Sequence, residues 1–364
     1  MPRTGTGSES TDDERFVSPE QREVSAFTTK RPDSLDAFVG QEGPVGNIRV
    51  MLAAAQKRGA ALEHILFAGP PGLGKTTLAN IIARELGVSL TSTTGPLLER
   101  PGDLLAILTG LQERQVFFID EIHRLNRAVE ETLYSAMEQY KVDVIIGKGP
   151  GAKTIPLNLS PFTLIGATTR SGLLTAPLRD RFGALFHLNF YAPEELALII
   201  ERKAVEHNIK INGECLLSIA RKSRGTPRVA LRLFKRVWDF AVVAGDTEVT
   251  TKLAEESLER LGISDEGLDE MDRRILMLIL KNFNGGPVGI STIAAVLNEE
   301  RDTIEDVYEP YLMKAGFLEK TSRGRCVTQK AYDYFKVPYT PDRFKPGPSV
   351  PLFEESEESS EDDA

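Results

Sequence analysis

Gly69-Pro70-Pro71-Gly72-Leu73-Gly74-Lys75-Thr76 decides the reading of this chain, because it satisfies G-x-x-x-x-G-K-[ST] at every fixed position. The run before it, His64-Ile65-Leu66-Phe67-Ala68, has the continuous apolar character of a strand buried on both faces. The run after it, Lys75 to about Leu86, has a helical rhythm. A phosphate-binding loop requires that setting. The glycines, Gly72 and Gly74 among them, let backbone N–H groups wrap phosphate oxygens, and the helix N-terminus adds positive potential. Lys75 is then expected to reach the β- and γ-phosphates of ATP or ADP, and the Thr76 hydroxyl to ligate Mg²⁺.

Working outward, Val116-Phe117-Phe118-Ile119-Asp120 and Phe162-Thr163-Leu164-Ile165-Gly166-Ala167-Thr168 read as two more buried strands. Short apolar runs separated by helices predict an α/β P-loop fold with a parallel sheet. Carboxylates at a strand's C-terminal edge face the phosphates. Asp120 is therefore expected to hold Mg²⁺ through water and Glu121 to orient the attacking water. Thr168 and Thr169 stand where a polar sensor lies between that water and the γ-phosphate. Arg228 opens a later helix, from which it can contact the nucleotide across a domain cleft. In Leu178-Arg179-Asp180-Arg181-Phe182, Arg179 and Arg181 are poorly placed for their own loop and well placed to reach a neighbour's γ-phosphate. The bland alternative is an internal salt bridge through Asp180.

The 364 residues exceed one typical core. Residues 1–25 are polar and read as a disordered extension. About 26–191 forms the α/β domain, 192–263 reads as an all-helical lid, and 264–338 reads as a winged helix-turn-helix. In that last part, helices are expected over Met271 to Phe283, Ile290 to Leu297 and Thr303 to Ala315. A hairpin follows, with its turn at Ser322-Arg323-Gly324-Arg325. The tail, 339–364, is acidic and reads as disordered. The net charge of −9 owes −7 to residues 351–364 and −3 to residues 1–25, so the body sits near +1 and any basic surface is local. Cys215 and Cys326 form neither a disulfide framework nor a metal knuckle, and the four histidines lack ligand spacing. With no signal peptide and no apolar run near the roughly 20 residues of a membrane span, the expected compartment is the cytoplasm, with no membrane partner.

Taken together these parts resemble the AAA+ ATPases, and over about Lys30 to Phe335 they look like the AAA+ motors that drive branch migration of Holliday junctions. The stretches that carry the likeness include Arg31-Pro32 through Gly40-Gln41, Phe118 through Leu125, Pro161 through Gly183, Gly285 through Gly289 and Ile304 through Leu312. The resemblance implies a homohexameric ring on duplex DNA, working in recombination and repair at junctions held by RuvA, with RuvC as a further partner. It implies that Lys30 and Arg31 lie at the adenosine end, that Tyr191 packs near the base, and that Thr77 joins Gly72, Lys75 and Thr76 at the phosphates and Mg²⁺. Arg228 becomes the lid sensor. Arg181 fits the finger, with Arg179 beside it and Arg170 as a further candidate.

Tyr140 to Leu159 reads as two strands around Gly147-Lys148-Gly149-Pro150-Gly151, a long hairpin for a plain nucleotide-binding domain. In the family such a hairpin docks on RuvA, and Val142, Val144, Ile145 and Ile146 would supply apolar area for it. In the winged part the expected recognition helix carries Glu305, Asp306 and Glu309, a face that repels phosphates. DNA contact is therefore expected on the wing, through Lys320, Arg323 and Arg325, mainly to the backbone. The competing reading is an initiator-type AAA+ protein, which also joins an ATPase to a winged helix but uses ATP as a switch at defined sites. A clamp-loader subunit would carry a helical collar instead, and a plain DNA-binding module would not need the ATPase residues. The acidic tail stands as an electrostatic competitor for the wing. Deleting residues 351–364 is expected to raise duplex-DNA affinity at low salt and to leave it unchanged once salt screens the tail. Equal affinities at low salt, measured by fluorescence anisotropy, would dispose of the idea.

Overall fold

A computed structural model describes residues 31–146 and 153–339. The expectations for residues 1–25, Lys30, the hairpin tip 147–151 and the tail from 340 onward lie outside the described residues. The chain divides into two compact units, one ending at Glu270 and the other beginning at Met271.

The first unit is built on a parallel sheet of β1 (Ile65–Ala68), β2 (Leu90–Thr94), β3 (Val116–Asp120), β6 (Thr163–Thr168) and β7 (Ala184–His187), in the order β2-β3-β6-β1-β7. Period-two alternation divides each strand between two cores. Ile65, Phe67, Phe118, Ile165 and Ala167 pack on one side, against Leu78, Ile81 and Ile82 of the helix Lys75–Glu85 and against the helix Glu42–Arg58. Leu66, Phe117, Ile119 and Leu164 pack on the other, against Leu104 and Leu108 of Pro101–Thr109 and Val129 and Leu133 of Arg127–Gln139. Each fully buried phenylalanine contributes about 1.5–3 kcal/mol of transfer free energy, which makes the two-sided burial the main support of the sheet. His64, beside β1, is buried as well. Its Nδ1 accepts from the Leu164 N–H at 2.9 Å, so its Nε2–H is the donor to the Met137 carbonyl at 3.1 Å. Desolvation lowers its pKa and keeps the ring neutral.

The hairpin of β4 (Lys141–Ile146) and β5 (Lys153–Asn158) is a separate antiparallel ladder, outside the main sheet. Val142 turns inward and joins the Phe162 core, so it is not exposed apolar area as expected. The exposed apolar residues are Ile155 and Leu157 on the opposite strand. The side chains of Ile145 and Ile146 lie outside the described residues.

Four helices follow, Pro193–Glu206, Gly213–Arg221, Pro227–Ala244 and Thr251–Arg260. The all-helical expectation misses a short parallel ladder between β8 (Lys210–Ile211) and β9 (Glu248–Val249), two residues long on each side and too brief to leave a sequence period. Cys215 is buried among these helices, and burial pushes its thiol up to about 12.

The second unit has helices Glu270–Asn282 and Ile290–Leu297, then a broken helix. A turn at Arg301–Thr303 continues as a π-helical segment, Ile304–Tyr308, and then as Glu309–Lys314. The hairpin of β10 (Leu318–Thr321) and β11 (Gly324–Val327) gains a third partner, since Val288 and Arg325 exchange two backbone hydrogen bonds of 3.0 and 2.8 Å. The hairpin turn is therefore Ser322-Arg323, and Arg325 belongs to a strand.

Arg325 corrects two expectations. It is buried, with its Nε on Glu309 Oε1 at 2.5 Å and its Nη2 on Glu305 Oε1 at 2.8 Å. It is not presented to DNA, and Glu305 and Glu309 are not an exposed repelling face, because both turn inward and pair with this arginine. Among the three wing cations, Lys320 and Arg323 are the exposed ones. Removing one partner of a buried pair leaves an uncompensated charge, which typically costs about 3–5 kcal/mol. Arg325→Ala is expected to destabilise the second unit by that amount in urea unfolding. Arg323→Ala, at the exposed turn, is expected to shift stability by no more than about 0.5 kcal/mol.

No helix among the described residues is long and apolar enough to cross a membrane.

Candidate functional site

Parallel pairing brings three strand ends to one edge. Ile119 pairs with Gly166 and Ala68 with Thr168, so Asp120-Glu121, Thr168-Thr169 and Gly69 emerge at one level. The Gly69 N–H donates to the Thr168 carbonyl at 3.1 Å. Above this edge lies a cavity of about 630 Å³.

Its phosphate end is lined by Gly72, Gly74, Lys75, Thr76 and Thr77. Gly72 has φ +83°, and a Cβ there would stand 2.9 Å from Arg228 Cβ. Arg228 in turn donates its backbone N–H to the Gly72 carbonyl at 3.4 Å, so the loop and the lid helix Pro227–Ala244 touch directly. Lys75 is buried, and its Nζ donates to the carbonyls of Gly69 at 2.6 Å and Pro70 at 2.9 Å, which holds the ammonium within the loop.

Asp120, Glu121 and Thr169 line the same cavity. Glu121 takes a left-handed conformation, φ 51°, that turns the chain sharply out of β3 into the short 3₁₀ turn Ile122–Arg124. Positive φ in a residue of this kind carries strain of the sort that clusters at functional sites. The two threonines part company. Thr168 is fully buried, and its Oγ1 accepts the Arg170 N–H at 3.0 Å and meets His123 Nδ1 at 3.0 Å. Thr169 is the one that lines the cavity, and its Oγ1 is buried without a hydrogen-bond partner.

Arg31 and Tyr191 line the same cavity, together with Phe38, Ile199, Lys203 and Glu206, which sequence reasoning missed. Tyr191 is 3% exposed and donates its hydroxyl to the Leu73 carbonyl at 3.2 Å. Burial pushes its phenol well above the ordinary value, so it remains a neutral donor. Lys203 is also buried and pairs with Glu206. Phe38 lies within the Arg31 to Gln41 stretch already singled out, whereas Ile199 and Lys203 sit on an amphipathic helix with no motif to mark them.

Arg170, Arg179 and Arg181 do not line this cavity. Arg179 is exposed, and its Nη2 donates to the carbonyls of Ser171 and Leu174. Arg181 pairs with Glu138 at 3.0 Å rather than through Asp180, donates to the Pro177 carbonyl at 2.7 Å, and stacks 4.4 Å from the Tyr134 ring centroid. Glu138 is half exposed, so this tether is worth about 0–1 kcal/mol.

The arrangement can bind a nucleoside polyphosphate by its phosphates through loop amides and Lys75, enclose its base between the Arg31–Phe38 segment and the lid, and direct carboxylates at the terminal phosphate. Gly72→Ala is expected to weaken nucleotide binding by about tenfold or more, since the left-handed conformation alone costs about 1–2 kcal/mol and the new methyl group meets Arg228. Gly59→Ala, at φ +63° with open space around it, is the matched control for backbone strain. It should leave nucleotide affinity unchanged in titrations with a fluorescent ATP analogue.

Family models match most of the chain, in three consecutive stretches. Residues 30–188 match the Holliday junction DNA helicase RuvB P-loop domain, 191–264 the RuvB AAA lid domain, and 265–336 the RuvB C-terminal winged helix domain. Among solved structures, the Thermotoga maritima RuvB Holliday junction branch migration motor is 50% identical, with a TM-score of 0.80, over 85% of this chain and 99% of that one. A mutant of the same Thermotoga protein matches with equal identity and TM-score, over 85% of this chain and 100% of its own.

Proposed function

The chain belongs to the RuvB family of Holliday junction DNA helicases, and from that membership we propose the following working of its site. The protein is an ATP hydrolase that acts on DNA as a branch-migration motor in recombination and repair. The observation that carries the mechanism is the single cavity where the phosphate loop, the β3 carboxylates, Thr169 and the lid residue Arg228 converge.

Lys75 neutralises the β- and γ-phosphates. Thr76 and Asp120 supply a hydroxyl and a carboxylate to one cavity, the hard oxygen donors that Mg²⁺ prefers, so these two residues would hold the ion. When bound, Mg²⁺ would neutralise phosphate charge. Glu121 orients the attacking water, and Thr169 senses the γ-phosphate. Arg228, in contact with Gly72, ties the lid angle to the state of the loop.

Arg181 serves a neighbour's site, with Arg179 beside it and Arg170 as an auxiliary. A finger acting in trans accelerates hydrolysis by about 10³–10⁵-fold, or roughly 4–7 kcal/mol, which outweighs the tether to Glu138. Hydrolysis then depends on assembly, which fits a homohexamer encircling duplex DNA. Ile155 and Leu157 on the β4–β5 hairpin supply an apolar face for RuvA, and RuvC joins the same junction. Lys320 and Arg323 grip the DNA backbone. The cytoplasm is the compartment that suits this work. Three RuvB domain matches in order favour this reading over an initiator-type switch.

The test is ATP hydrolysis with and without duplex DNA and RuvA, for wild type and Arg181→Ala, alongside dissociation of a synthetic four-way junction. Hydrolysis stimulated by both partners, and lost by about 10³-fold or more in the variant, is expected. Slow, unstimulated hydrolysis with tight site-specific duplex binding would favour the switch.

A further inference from the structure

We propose that His123 is a positioning residue for hydrolysis. It braces the Glu121 carboxylate against the Thr168 hydroxyl, so that the hydrolytic carboxylate and the end of strand β6 move as one unit. This inference rests on the assignment of Glu121 as the water-orienting group.

His123 sits on the 3₁₀ turn that leaves β3, two residues past Glu121, and its side chain is only 5% exposed. One ring nitrogen, Nδ1, lies 3.0 Å from Thr168 Oγ1. The other, Nε2, lies 3.4 Å from Glu121 Oε2. Donor bookkeeping gives this chain a direction. Thr168 Oγ1 accepts the Arg170 N–H and can still donate its own O–H to His123 Nδ1, whereas the reverse tautomer would turn an Nε2 lone pair toward the Glu121 carboxylate. A neutral ring then carries its proton on Nε2, facing the Glu121 carboxylate. The path Arg170 N–H, Thr168 O–H, His123 N–H, Glu121 is thus consistent from end to end.

The 3.4 Å contact is at the outer edge of hydrogen-bonding range, but it lies beside a buried ring, where a charge–dipole attraction is stronger than in water. A histidine kept only to fill space would not need both nitrogens aligned on polar atoms of two different strand ends. The brace also has somewhere to transmit motion. Thr169 follows Thr168 and lines the nucleotide cavity, and Arg170 opens the loop that carries Arg179 and Arg181. A displacement of the β6 end is therefore passed to Glu121 through a rigid ring rather than through a flexible side chain.

The experiment is steady-state ATP hydrolysis by the full-length protein with duplex DNA, resolving kcat and KM, for His123→Phe and His123→Gln, each alone and with Glu121→Gln. His123→Leu replaces the phenylalanine variant should the larger ring lower the thermal midpoint. The hydrophobic variant is expected to reduce kcat about 10–100-fold, the scale of a misplaced catalytic group, with KM within about twofold. His123→Gln, which retains a donor and an acceptor, is expected to recover part of the loss. On the Glu121→Gln background the hydrophobic variant should add less than about twofold, because the two residues act as one unit. An unchanged kcat in the hydrophobic variant, a rise in KM alone, or an undiminished loss on the Glu121→Gln background would overturn the proposal. Should Glu121→Gln hydrolyse ATP as fast as wild type, the assignment of Glu121 falls. Should it be inactive while the His123 variants are normal, only the brace falls.

Discussion

Everything at the nucleotide site depends on the parallel pairing of β3, β6 and β1. Each strand contributes one element: the carboxylates after β3, the threonines at the end of β6, the phosphate loop after β1. Parallel strands end at the same edge, so the side chains that follow them converge without any further device. The backbone bond from Gly69 to the Thr168 carbonyl then fixes the height of the loop against the β6 end. A slip of one residue in the β3–β6 register would turn Phe118 and Ile119 into each other's cores and carry Asp120 away from the loop.

That is why so much of the site was legible in the sequence. A phosphate loop is backbone chemistry, and its spacing is fixed by the turn it must make. A carboxylate pair at a strand end and a threonine pair at the next are likewise local. The strand and helix limits agree with expectation to within one or two residues, as for β3 and for Lys75–Glu85. What the sequence did not disclose depends on tertiary approach. His123 looked bland because nothing in its neighbourhood says that a strand more than forty residues away will supply its partner. Phe38 and Lys203 reach the cavity from segments far from the phosphate loop in sequence. Arg325 looked like one more wing cation, since strand direction alone cannot tell that two glutamates will turn inward to meet it.

The two arginines most open to misreading are held in opposite ways. Arg325 is held by two carboxylates in a buried setting and fixes the wing to the preceding helix. Arg181 is held by one half-exposed carboxylate and a tyrosine face, weakly enough to be exchanged for a stronger anion. Burial distinguishes them. A buried pair is costly to break, whereas a half-exposed tether is released at little cost.

The burial of Arg325 also bears on how the wing holds a duplex. With that residue committed to Glu305 and Glu309, the wing is left with two exposed cations, Lys320 and Arg323, to offer phosphates. Two phosphate contacts displace about two condensed counterions, so the affinity of one wing falls only with about the second power of salt concentration. A grip through these two contacts alone would be weak for one subunit. In the ring proposed above, tenacity would come from the number of wings engaged at once.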